Sequence, residues 1–142
     1  MKISIRQVKQ EDIKNIFDLS NDQGVRKVSL NKKPISWENH IKWFEKRLKS
    51  DMPFYIIEDE NKDFIGQVRF EKENSEIIIS ISIISKYRSK RIGRKVIKKC
   101  IEKSGFKYVT AYIFDYNQAS IKAFENADFI NSHLLKYTYN KI

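Results

Sequence analysis

Residues 76–105 read EIIISISIISKYRSKRIGRKVIKKCIEKSG, and the change of rhythm inside this stretch decides the fold. Ile77, Ile79, Ile81 and Ile83 alternate with Ile78, Ser80 and Ser82, the period of two of a strand with one strongly buried face. After Gly93 the spacing turns helical. Ile92, Val96 and Cys100 stack on one side with Ile97, Ile101 and Ser104 beside them, while Lys95, Lys98, Lys99 and Lys103 point outward. Gly105 is placed to end this helix, because it takes a left-handed conformation at little cost. Between strand and helix lies Tyr87-Arg88-Ser89-Lys90-Arg91-Ile92-Gly93-Arg94. Such a turn aims unpaired amides and the positive end of the helix dipole at one spot. That spot suits a phosphate or pyrophosphate, with Arg88, Lys90, Arg91 and Arg94 adding positive charge; a solvated basic turn is the alternative.

At 142 residues the chain is expected to be a single domain spanning residues 1–142 with one core. Its 41% hydrophobic and 13% aromatic content fits a packed globule and not a disordered chain. No apolar run approaches the roughly 20 residues of a membrane span, and the first residues lack a signal-peptide core, so a cytoplasmic protein is expected. Cys100 is the lone cysteine and sits on the apolar helix face, which reads as core. The 28 basic and 18 acidic residues leave a net charge of +10. That charge raises nucleic-acid binding as a reading. The lysines are nevertheless spread over every segment and mixed with acids, as in Glu71-Lys72-Glu73, and no nucleic-acid-binding motif is present. A basic surface equally suits a small molecule that carries pyrophosphate.

Outward from the central stretch, residues 3–8 alternate as a first strand, and Gln10-Glu11-Asp12 opens a helix with Ile13, Ile16, Phe17 and Ser20 on one face. Residues 25–33 read as irregular. Ser36 caps a second helix whose stripe is Trp37, Ile41, Phe44 and Leu48, and Met52-Pro53 breaks it. Residues 54–58 and 64–70 read as strands, 107–114 as another strand, 117–126 as a short helix and 128–139 as a final strand region broken near Asn131-Ser132. The order βααβββαβαβ predicts an α/β domain with a mixed sheet.

Tyr-Arg-Ser-Lys-Arg-Ile-Gly, residues 87–93, resembles the acetyl-CoA signature Arg/Gln-x-x-Gly-x-Gly/Ala that follows the fourth strand of the GNAT N-acetyltransferases. Arg88 and Gly93 match its first and last positions, while Arg91 stands where the middle glycine usually sits. The element order is also that of the family, so the resemblance covers nearly the whole chain. It implies a mixed twisted sheet of six to seven strands with about four helices, and acetyl-CoA as acyl donor with no metal. The backbone of Ser82, Ile83, Ile84 and Ser85 would hold pantetheine, and Arg88, Ser89, Lys90, Arg91, Ile92, Gly93 and Arg94 the pyrophosphate. Residues 115–129, DYNQASIKAFENADF, resemble the family's Asn-x-x-Ser/Ala…Tyr-Glu-Lys-x-Gly-Phe segment. Asn117 would cap a helix and donate an amide hydrogen to pantetheine or the acyl carbonyl, with Ser120 beside it. Phe124 occupies the position of a tyrosine that acts as general acid in many members, and Asp128 replaces a glycine. The implied reaction is direct acyl transfer from the thioester to a neutral amine. Glu76, Asp115 and Tyr116 are the candidate bases, acting directly or through water.

The loop 20–29, the His-x-x-Trp-Phe helix (His40, Trp43, Phe44) and the strand Gly66-Gln67-Val68-Arg69-Phe70 resemble bacterial GNAT domains that acetylate amino groups on nucleotide-linked sugars, particularly near pseudaminic-acid and related nonulosonate pathways. Trp43 could stack on a base or sugar while Arg26 and Arg69 meet diphosphate, with Gln67 on the same strand face and His40 near them. The expected partner is therefore a nucleotide-linked amino sugar, and a homodimer is compatible with this. A protein or peptide N-acetyltransferase, and a CoA-binding module with little or no catalysis, remain open on the sequence alone.

Overall fold

In a computed structural model, which describes residues 2–29, 31–88 and 91–141, the chain forms one seven-stranded sheet with helices on both faces. The elements run β1 (Ile3–Gln7), α1 (Ile13–Ser20), α2 (Gln23–Lys27), α3 (Trp37–Leu48), β2 (Phe54–Asp59), β3 (Phe64–Glu73) and β4 (Glu76–Ile83). They continue with α4 (Gly93–Ser104), β5 (Tyr108–Tyr112), α5 (Gln118–Asn126), β6 (Ile130–His133) and β7 (Lys136–Asn140). The strand order is β1-β2-β3-β4-β5-β7-β6. Every neighbouring pair is antiparallel except β4 and β5, so the sheet is mixed as the alternation of strands and helices predicts.

The period-two pattern assigns the faces. Phe54 and Ile56 of β2 pack with Ile16 of α1 and Phe44 of α3 on one side. Ile57, Val68, Phe70 and Ile79 pack on the other with Val96, Ile97, Cys100 and Ile101 of α4 and with Phe124 and Ala127. Phe44, Ile56, Val68 and Val96 are completely buried, each contributing about 1.5–3 kcal/mol of apolar transfer. Caps end the helices where the sequence places them. Ser36 Oγ accepts the Asn39 amide at 3.2 Å, and Gly105, at φ 78°, closes α4 by donating to Ile101.

Three expectations change. Residues 23–27, in and before the stretch read as irregular, form α2, because the Asp22 carboxylate accepts the Val25 amide at 3.2 Å and starts a turn. The buried face of α3 carries His40 and Phe44, while Trp37, at the first helical position, is 41% exposed and stands edge-on to Phe17. Phe44 and Leu48 of the expected stripe do pack in the core, but at its N-terminal end His40 takes the buried place in front of Trp37. The last segment is a hairpin that reverses at Leu134, φ 42°, and Leu135; what lies near Asn131 is only a shift in the β6–β7 register.

β3 and β4 approach unusually closely at Gly66. A β-carbon there would meet the Ser82 carbonyl oxygen at 2.3 Å, so only glycine fits. The β2–β3 register shifts beside it, between Ile57 and Glu58, and such a bulge bends a strand next to whatever the sheet holds.

Candidate active site

The parallel ladder between β4 and β5 holds at a single register pair, Ile78 with Thr110. Beyond it β4 stays with β3, while β5 pairs with β7 over five residues, and a wedge opens between the two strands. The Ile84 amide donates to the Ile65 carbonyl at 2.9 Å. In an antiparallel pair the backbone groups alternate in direction. Ser82 and Ile84 therefore face β3, and Ile81 and Ile83 face the wedge. Of the strand expected to bind through Ser82, Ile83, Ile84 and Ser85, Ile83 keeps that orientation. Ser85 starts a 3-10 turn, and Ile81 was missed because hydrogen-bond direction is a property of the pairing and not of residue type.

The turn after β4 is held by side chains. Tyr87 donates its hydroxyl to Asp59 at 2.7 Å, tying the 3-10 turn to the end of β2. Arg88 donates Nε to the Ile83 carbonyl and Nη2 to Asp22, both at 2.8 Å. Arg88, expected among the pyrophosphate ligands, is a strut here between the end of β4 and the capping residue of α2, and its hydrogen bond and charge hold the Asp22 carboxyl below the usual range. Ser89 and Lys90, also expected to bind pyrophosphate, lie outside the described residues. Arg91 has φ 59°. Ile92 is buried at the helix start, and Gly93 opens α4 with Ala123 so near that a β-carbon would stand 3.1 Å from it. The first turn of α4 has no acidic residue and no side-chain cap, so its amides and dipole remain directed at the turn, with Arg94 exposed there.

On the far side of the wedge, Asn117 accepts the Ser120 amide through Oδ1 at 3.3 Å and caps α5, which leaves its amide hydrogens to donate. Tyr116 stacks on Phe114 (5.2 Å, 8°), has Lys32 above it, and donates its hydroxyl to the Lys27 carbonyl at 3.1 Å, joining this loop to α2. Asp115 is exposed on the same loop. Phe124 is 3% exposed and meets Phe129 edge-on at 4.9 Å.

Glu76 does not join them. It begins β4, at the opposite end from the turn, and its carboxylate accepts hydrogen bonds from Lys136, Tyr112 and Thr110. Those partners, Lys136 first, hold it below the ordinary carboxylate range, which makes it a poor base. His40 is likewise corrected. It is 1% exposed, packs among Phe17, Trp37, Trp43 and Phe44, and Nε2 lies 2.9 Å from the Ile13 carbonyl as donor. Burial pushes its pKa down, so it is a neutral core residue. Gln67, Arg69 and Trp43 do share one region. Gln67 is opposite Ser82 and Arg69 opposite Ser80, with the Arg69 guanidinium 5.1 Å from the Trp43 ring and 2.9 Å from Glu71. Arg26, on α2, donates to the Asn31 and Lys33 carbonyls.

Residues 2–130 match the family described as Acetyltransferase (GNAT) domain. The chain belongs to the GNAT acetyltransferase family. It is 26% identical over 137 residues to YwnH of Bacillus subtilis (strain 168), whose name assigns it phosphinothricin acetyltransferase activity provisionally, covering 89% of this chain and 83% of that one. It is 29% identical to MJ1062 of Methanocaldococcus jannaschii over 90% of its own length, and spans 28% of that longer protein. The structure of spermidine N-acetyltransferase from Vibrio cholerae in complex with CoA and spermine superposes with a TM-score of 0.83 at 15% identity, over 96% and 92% of the two chains. At that identity the likeness shows the fold alone.

As a GNAT N-acetyltransferase the chain explains its own departures. Arg91 and Asp128 stand where the family has glycine, and both are in the left-handed region, at φ 59° and 73°. The backbone shape is kept and each side chain bears the strain. The wedge and the uncapped α4 amides fit the acetyl-CoA that GNAT acetyltransferases use. Among the described residues no group of three or more His, Cys, Asp or Glu is placed to hold a metal ion, and no helix is long and apolar enough to cross a membrane.

Proposed function

We propose that this N-acetyltransferase binds acetyl-CoA through the wedge between β4 and β5 and accepts the primary amine of a small polar molecule over the Gln67–Arg69 face of the sheet. The single pairing of Ile78 with Thr110, which leaves the Ile81 backbone and the Ile83 amide facing the wedge while Arg88 takes the Ile83 carbonyl, carries the reading. Ile81 and Ile83 would hold the pantetheine amides, and the amides of Gly93, Arg94 and Lys95 the pyrophosphate, with Arg91 and Arg94 adding charge. Bound acetyl-CoA supplies the thioester on which the amine acts. Asn117 would donate its amide hydrogen to the acyl carbonyl, stabilising negative charge there. Asp115 and Tyr116, on the loop that Tyr116 ties to α2, would be the groups that take the ammonium proton, directly or through water. A user of acetyl-CoA with its one cysteine buried as a thiol suits a reducing cytoplasm.

The acceptor first expected, a nucleotide-linked amino sugar, draws on Trp43, Arg69 and Arg26, whereas the relatives above are named for phosphinothricin and spermidine. The test is thermal unfolding with and without acetyl-CoA beside a CoA-release assay over amines of these three kinds and a short peptide. Ligand at 100 times its dissociation constant stabilises by about 2.7 kcal/mol. A shift with turnover of a small amine supports the proposal, and turnover confined to the peptide refutes it. The buried Phe124, which cannot give a proton to a thiolate, favours a second reading: a domain that binds acetyl-CoA and turns over slowly. A shift without CoA release from any amine is the result that reading expects.

A further inference from the structure

Three buried side-chain polar atoms among the described residues have no hydrogen-bond partner within the protein: Arg26 Nε, Arg47 Nε and Gln67 Oε1. All three belong to residues around Arg69. Gln67 and Arg69 are two residues apart on one face of β3. Arg26 and Arg47 are each near enough to feel Arg69 as a repelling charge, and burial together with that repulsion pulls both guanidinium pKa values below their ordinary value. Glu71, bound to Arg69 at 2.9 Å and 41% exposed, is the acid that meets this group. Among the described residues Arg26 donates only to the Asn31 and Lys33 carbonyls and the Ser29 hydroxyl, and Arg47 to the Phe70 carbonyl and the Ser50 hydroxyl. Buried polar groups are normally paired, and like charges are normally kept apart. Two guanidiniums with an unpaired Nε, both within the field of Arg69, which Glu71 partly neutralises, break both rules in one region. That place adjoins the reaction. Arg69 pairs with Ser80, two residues beyond the point where β4 and β5 part, and neighbouring strands lie about 4.8 Å apart.

We infer that Arg69, with Arg26 and Arg47, forms a subsite for an oxyanion carried by the acceptor, while Gln67 Oε1 accepts from an N–H or O–H of the same molecule, so that the enzyme selects amines bearing a carboxylate, phosphinate or diphosphate and rejects polycations. The inference rests on the placement of the acceptor proposed above. Arg69, its guanidinium carbon over the Trp43 ring and its Nε donating to Glu71, keeps its remaining N–H groups in the fork that matches such an oxyanion. A polyamine entering the same place would meet three like charges.

The experiment is isothermal titration of the CoA-loaded protein with phosphinothricin, with a UDP-linked amino sugar and with spermidine, followed by steady-state kinetics on whichever is acetylated. At least one anionic acceptor should bind about 10-fold or more tighter than spermidine, and which one it is separates an amino-acid-like from a diphosphate source. Arg69→Gln should weaken that ligand about 10- to 100-fold, seen in KM with kcat little changed and KM for acetyl-CoA unchanged. Glu71→Gln, at an exposed site where folding is not at stake, should move binding the other way, tightening the anion about 3-fold. Spermidine binding best, no binding by either anion, or an Arg69→Gln enzyme with unaltered acceptor affinity would each overturn the subsite. The acetyl-CoA thermal shift reads the acetyltransferase assignment independently of all three outcomes.

Discussion

Replacing Gly66 by alanine puts a methyl group 2.3 Å from the Ser82 carbonyl oxygen and 3.0 Å from the Ile83 α-carbon. Both are backbone atoms of β4, so no side chain can swing aside. Carbon and oxygen do not approach within 3.0 Å in folded chains, so β4 must retreat by about 0.7 Å at the point where its backbone faces the wedge, an overpacking strain of about 1–3 kcal/mol. Unfolding entropy of about 2.1 cal/mol/K per residue gives about 0.3 kcal/mol/K for this chain. The expected fall in Tm is therefore about 3–10 °C, readable by differential scanning calorimetry. Because the displaced strand carries Ile83, affinity for acetyl-CoA should fall with stability, and isothermal titration below the melting range measures it separately. A Gly66→Ala protein with unchanged Tm would falsify the close approach of β3 and β4, and lower stability with intact affinity would remove Ile83 from the acetyl-CoA site.

Arg91→Gly relieves a left-handed backbone and should raise Tm by a few degrees, since the strain is about 1–2 kcal/mol and glycine returns part of it to the unfolded chain. A lower Tm would mean that the Arg91 side chain matters more than its φ. Gly93→Glu forces bulk against Ala123 and negative charge onto the α4 amides, so acetyl-CoA should no longer shift the melting curve; an undiminished shift refutes the pyrophosphate assignment. Asp12 is buried, and although burial alone would raise its pKa, the Arg6 hydrogen bonds and the Lys9 amide hold it below 3.8. Its contribution is present above the unfolded pKa and is lost as pH falls through the lower folded value, so Asp12→Asn should cost stability at pH 7 while flattening the loss below about pH 4. An unaltered acid limb in pH-dependent melts would contradict this. The Cys100 thiol, fully buried and pushed up to about 12, should resist iodoacetamide at pH 8 until denaturant is added, as mass spectrometry would show.

Much of the architecture was open to reading because its signals are local. The alternation of Ile77, Ile79, Ile81 and Ile83, the stripe of Val96, Ile97, Cys100 and Ile101, the caps at Ser36 and Asn117 and the stop at Gly105 depend on neighbours a turn or a residue away. The resemblance at residues 87–93 and 115–129 gave the family, and the strain at Arg91 and Asp128 shows why glycine belongs at both. Site roles were less open. His40 read as part of the acceptor site, but the phase of α3 against β2 turns it into the core. Glu76 looked free, but β5 and β7 bring Tyr112, Thr110 and Lys136 to it from residues far along the chain.

The sequence by itself determined the elements, their order and the basic turn that leads into α4, since each follows from periodicity, capping and composition within a short window. Only the tertiary structure decided which groups are available. That Ile81 and Ile83 face the wedge, that Arg88 is already engaged by Asp22, and that the Nε atoms of Arg26 and Arg47 are buried without a partner are facts of strand pairing and helix docking. A side chain's charge is written in its residue type, but whether that charge is paired is settled by residues distant in sequence that folding brings alongside it.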